Sequence, residues 1–226
     1  MRNLKLLTRD ELLGFAKSKV MLVLWIGLPV LALLVFVLPI LLGQESADSG
    51  RSMAALVALL VSSLAGTVSA IMVAVDIGSE RKSGVYQLLV IRPLPRDAIL
   101  WAKYIAVFTC VTLACVVALA TGVFVDLIRG TPLPAEAWNH LARSLLSTAG
   151  VIAISTAIGV FVGSVTTSTL VAVIVVLYAG QNLAVIPMIP NYFGLEEYFW
   201  PFMGGTVVLA LGVMFAATLL FRRVEL

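Results

Sequence analysis

The chain has 226 residues, of which 61% are hydrophobic and only 12% charged, with a mean hydropathy of +1.09. A soluble domain carries about 25% charged residues, so this chain has too little polar surface to cover a water-facing body and is far too apolar for disorder. Fifteen Lys and Arg against twelve Asp and Glu leave +3, but the charges fall in short clusters between apolar blocks, which excludes the basic face of a nucleic-acid binder and leaves a membrane protein.

In chain order, residues 1–19 form the first predicted unit, an amphipathic helix lying at the membrane interface. Leu4, Leu7, Leu12 and Phe15 fall on one side with Arg2, Lys5 and Arg9 opposite, while Leu6 and Leu13 depart from that pattern. The rest, 20–226, reads as one transmembrane domain. Uncharged runs cover 20–44, 52–75, 104–125, 144–195 and 198–221, of 25, 24, 22, 52 and 24 residues. A helix needs about 20 apolar residues to cross the hydrocarbon core. The run of 52 therefore holds two crossings, divided at the polar cluster Ser164, Thr166, Thr167, Ser168 and Thr169. Six spans follow, near 20–42, 53–75, 99–125, 144–163, 169–189 and 203–221. A β-barrel would need period-two alternation, which 31–42 lacks, so the expected fold is all-α and polytopic.

The first span is too long for the roughly 7–15-residue apolar stretch of a signal peptide, so it is expected to stay as a membrane anchor; Pro29 and Pro39 are expected to bend it. Small residues recur every fourth position, as Ser62, Gly66, Ala70 and Ala74 in the second span and Ser155, Gly159 and Gly163 in the fourth. Such lines let two helix backbones approach closely, here most simply within one chain. Cys110 and Cys115 sit five apart in one apolar stretch, on different helix faces, and read as small buried hydrophobes. His140 alone builds no metal site, and neither a catalytic motif nor a phosphate-binding GxxxxGK[ST] is present. Gln181 and Asn182 are polar at depth in the fifth span, which suits either a translocation path or a helix–helix hydrogen bond. The stretch 187–204 is rich in Pro and aromatics, as an interfacial belt is.

Twelve of the fifteen basic residues lie before the first span, around the loop between spans two and three, or after the last span. The positive-inside rule places those segments, and both termini, in the cytoplasm. All acidic residues map to loops or span ends, which argues against an ion-coupled transporter with acids at mid-depth.

The loop 76–98 reads DIGSERKSGVYQLLVIRPLPRDA. Val85, Leu88 and Leu89 have helical spacing after Gly84, and Arg92-Pro93-Leu94-Pro95 ends that helix because each proline disfavours helix in the residue before it. The sequence Glu80-Arg81-x-x-Gly84, then Leu88-Leu89, Arg92-Pro93, Arg96 and Lys103, resembles the cytoplasmic loop of exporter permeases of the ABC-2 type, the membrane subunits of ATP-binding cassette (ABC) transporters. The overall layout is similar too. Gln87 departs from the pattern, standing where that family often has an acid.

The resemblance implies a coupling loop, with Glu80, Arg81, Gly84, Val85, Leu88, Leu89, Arg92 and Arg96 meeting a separate ATPase subunit. Glu80 would belong to a charged relay at the base of the second span. It further implies that this chain is not an enzyme and binds no cofactor. ATP and Mg would sit on the partner ATPase, and a second copy or a homologous permease would complete the translocation domain. The expected place is the plasma or inner membrane, the expected cargo hydrophobic or amphipathic. Two alternatives are a haem-exporter-type permease of cytochrome c maturation and a non-transporting membrane scaffold. The former fits less well, since its loop usually carries an Asp-Gly step and lacks the Arg92-Pro93…Arg96 arrangement.

Overall fold

The computed structural model describes residues 2–41, 53–83, 96–128, 135–166, 168–193 and 195–223. Among them every regular element is helical: α1 (Arg2–Ala16), α2 (Lys19–Leu41), α3 (Met53–Lys82), α4 (Arg96–Ile128), α5 (Ala135–Val165) and α6 (Thr169–Ala184), then α7 (Ile189–Tyr192) and α8 (Phe199–Arg223), with 3₁₀ turns at Ile186–Met188 and Glu196–Tyr198. Backbone groups satisfied within each segment are what a bilayer requires. Among the described residues four stretches are long and apolar enough to cross one: Leu60–Lys82, Asp97–Ile128, Trp138–Val165 and Phe199–Phe221. A fifth arises if α1 and α2, bent by 62° to each other, are counted as one broken span.

Each expected span falls on a helix, but the helices outrun the apolar runs. The second span, expected at 53–75, continues to Lys82, the third opens at Arg96, and the fourth begins at Ala135 rather than 144. Charged residues end a hydrophobic run without ending a helix, because Glu, Lys and Arg are good helix formers. The fifth stops at Ala184, short of 189, where Pro187 and Pro190 impose a 3₁₀ turn and a separate short helix. Pro29 and Pro39, expected to bend the first span, both lie within the single helix α2. The turn between α1 and α2 has a local cause. Ser18 accepts a hydrogen bond at its Oγ from the Met21 amide (3.1 Å), an N-cap that starts α2 afresh.

α3 and α5 form the centre and share the most extensive interface; α1 and α2 pack on α4, and α8 on α5. The two lines of small residues meet there. A Cβ on Gly66 would stand 2.6 Å from Val151 Cγ1 and 2.9 Å from Ser155 Oγ, and one on Gly163 would stand 3.1 Å from Ala74 Cα. The sequence expectation of a close helix pair within the chain is thus realised. Buried hydroxyls in this region turn back on their own helices: Ser69 donates to the Gly66 carbonyl (2.8 Å) and Thr156 to that of Ile152 (2.6 Å). Cys110 and Cys115 are buried free thiols.

Candidate functional site

The last two turns of α3 and the first two of α4 flank the stretch 84–95. Their side chains are joined by a buried cation. Lys103, on α4, is 1% exposed, the largest fully buried side chain among the described residues. Burying an ammonium is costly unless it is paired and hydrogen-bonded. Lys103 Nζ donates to Asp76 Oδ2 and to Glu80 Oε1 (2.8 Å), both on α3 and one turn apart. It also reaches Glu11 on α1, 3.3 Å from one carboxylate oxygen and 3.5 Å from the other. The Phe15 ring lies under the same ammonium, its centroid 5.9 Å from Nζ. One lysine therefore joins three helices that are distant in sequence.

The three carboxylates are not equivalent. Asp76 and Glu80 share a helix, whereas Glu11 reaches in from α1. Burial, the largest effect on Glu11, raises its carboxyl above the ordinary value of 4.5; Lys103 pulls it down, and Glu80 and Asp76 push it up again. Arg81 points elsewhere, its Nη1 donating to the Ser164 carbonyl (2.9 Å) in the last turn of α5. A guanidinium on an unpaired terminal carbonyl satisfies that group and suits the negative helix end. The end of α3 is thus pinned to α4 through Lys103 and to α5 through Arg81.

Of the residues expected in a coupling loop, Glu80 is brought into this cluster, Arg81 ties the same helix end to α5 instead, and Arg96 is the first residue of α4. Gly84, Val85, Leu88, Leu89 and Arg92 lie outside the described residues. Glu11, Asp76 and Lys103 were not among the expected site residues. A signal for Lys103 existed: a lone charge seven residues into an apolar helix needs a partner. Nothing in the sequence said that one partner would come from 92 positions away.

Gln181 and Asn182 lie in α6. The Asn182 amide is exposed and donates to the Tyr178 carbonyl of its own helix (2.6 Å), so the hydrogen bond found is not one between helices. At the far end of the bundle, an apolar cleft of about 500 Å³ opens between α4 and α5, walled by Leu119, Val123, Phe124, Trp138, Leu141 and Leu145. It lies well apart from the charged cluster. Among the described residues no three His, Cys, Asp or Glu side chains form a group able to hold a metal ion; Lys103 takes the place between the acids that a cation would need.

What this arrangement can do is mechanical: it makes the two stems of the 84–95 stretch, and the N-terminal helix, one electrostatically joined base. The sequence pattern of the family described as "ABC-2 family transporter protein" matches residues 8–182, well over half of the chain and every residue of the charged cluster. The chain belongs to the ABC-2 transporter family. No curated protein matches it. Family and apolar helices together make this ABC-2 chain a multi-pass membrane protein of the permease kind.

Proposed function

We propose that this ABC-2 protein is the membrane subunit of an ATP-driven exporter that moves a hydrophobic or amphipathic molecule with energy from separate ATPase subunits. The observation that carries this reading is the Lys103 tie, which fixes the end of α3 to the start of α4 on either side of 84–95. A segment that receives a push must have stems that move together, or the displacement is lost in the loop.

In this reading the chain crosses the plasma or inner membrane six times, with α1 at the cytoplasmic interface and both termini in the cytoplasm. Residues 83–96 form the coupling contact: Val85, Leu88 and Leu89 seat in the ATPase, with Arg92 and Arg96 beside them. Two permease chains and two ATPases form the unit. ATP and Mg are held by the ATPases, and no covalent chemistry occurs on this chain. Nucleotide binds one state of the assembly better and shifts the equilibrium between inward- and outward-open forms by that difference in affinity. The exposed Asn182, on a helix face that this chain leaves uncovered, supports a path role for Gln181 and Asn182.

The test replaces Val85 and Leu88 with aspartate. The doubly substituted chain is expected to insert normally but to lose copurification of a cassette ATPase. Copurification at the wild-type level overturns the coupling assignment.

A further inference from the structure

The charged base holds more negative than positive charge. Glu11, Asp76 and Glu80 all face Lys103, and among the described residues three charged groups act on Glu11: Lys103 from α4, Asp76 and Glu80 from α3. Arg81, the residue after Glu80 on α3, is committed to the Ser164 carbonyl. With all three acids ionised, one ammonium faces three carboxylates, and the second and third repel each other across a partly dry space.

The three arms differ in how they are held. Asp76 and Glu80 make the two shorter contacts from the last turns of a helix locked into the core. Glu11 makes the longest, from a helix that touches the bundle mainly along α4 through Phe15, Leu7 and Leu12. Its opposite face, including Leu6 and Leu13, is exposed. The arm that can leave is therefore Glu11, and what leaves with it is α1.

We propose that α1 is a proton-linked latch, held on the base of α3 and α4 when Glu11 carries a proton and loosened when Glu11 is ionised, with Lys103 as its positioning residue. A protonated Glu11 still accepts a hydrogen bond from Lys103 and removes the repulsion from Asp76 and Glu80. An ionised Glu11 keeps the attraction of Lys103 but adds a third negative charge in the same desolvated space. A carboxyl raised by docking favours the docked state most below its ordinary value, and the preference is lost as pH rises through the docked value. In the exporter reading above, on which this use of the latch rests, the pH on the α1 side sets how firmly the surface helix moves with the coupling stems.

The experiment measures the distance between spin labels at Leu13→Cys on α1 and Leu113→Cys on α4, both exposed positions. The full chain is held in lipid nanodiscs, with Cys110 and Cys115 replaced by alanine. As pH rises from 4.5, the ordinary carboxylate value, a second, longer-distance population is expected to grow at the expense of the short one. Glu11→Gln is expected to hold the short distance across the whole series, and Lys103→Arg to keep the pH response because the cation is retained. A distribution that does not change with pH, or a Glu11→Gln chain that responds as the parent does, overturns the latch. Neither outcome depends on an ATPase, so loss of the latch and loss of the exporter reading are told apart by copurification.

Discussion

Gly159 of α5 lies directly against the backbone of Ala70 on α3, close enough that a Cβ on the glycine would stand 2.9 Å from Ala70 Cα and 2.5 Å from Val73 Cγ1. Backbone cannot rotate out of the way as a side chain can, so a substitution here must move a whole helix. Gly159→Leu is expected to destabilise the protein by about 3 kcal/mol or more through overpacking. Gly212→Ala, where a Cβ meets open space, is expected to be neutral. Thermal unfolding of the two variants in the same micelles compares them directly; equal melting temperatures would show that the α3–α5 contact is not close in solution.

Lys103 offers a second test, of charge rather than volume. Lys103→Met keeps most of the side-chain volume but leaves Asp76, Glu80 and Glu11 facing one another. Breaking a buried pair by removing one partner costs about 3–5 kcal/mol, chiefly for the charges left behind. The loss should be largest at neutral pH and smaller in acid, where Glu11, its carboxyl raised by burial, takes up a proton. A melting temperature that falls equally at both pH values would mean that packing, not pairing, is what the lysine supplies.

For Arg81 the expected effect is smaller and local. Arg81→Gln removes the charge from the terminal carbonyl of Ser164, a loss of about 1.5–3 kcal/mol for a hydrogen bond to a charged group. Hydrogen exchange should quicken in the last turn of α5 and at Ser83, with the α3–α5 centre unchanged. Uniform quickening along α5 would show that the arginine supports the whole interface.

Ser155 makes the opposite prediction. Its Oγ is buried and, among the described residues, without a hydrogen-bond partner. Exchange of an unsatisfied buried polar group for an apolar one of similar shape is neutral or stabilising. Ser155→Ala should therefore leave the melting temperature unchanged or raise it, whereas Thr156→Ala, which removes a hydroxyl bonded to Ile152, should not raise it. A clear drop for Ser155→Ala would reveal a partner for the hydroxyl.

Much of the fold was legible because hydropathy reports burial in lipid directly. Each of the six expected spans fell on a helix among the described residues, and the four-residue spacing of Gly66, Ala70, Gly159 and Gly163 announced the central contact, since only small residues let backbones touch. Helix ends were less legible, because Glu80, Arg81 and Lys82 interrupt hydropathy while continuing the helix. The charged base was legible only in part. Glu80 and Arg81 stand in a recognisable motif. Glu11, by contrast, sits among ordinary surface charges of α1, and only the tertiary approach of α1 to α4 gives it a partner. Long-range ion pairs have no period and no spacing, so one sequence cannot announce them.

The brevity of α6 has a consequence for the surrounding lipid. Its 16 residues rise about 24 Å, against a hydrocarbon slab of about 30 Å. In the six-crossing arrangement proposed above, the bilayer beside this helix has to pinch inward, or headgroups and water follow Asn182 below the usual surface. The protein thereby becomes a gauge of acyl-chain length, most at ease where the surrounding leaflets are thin.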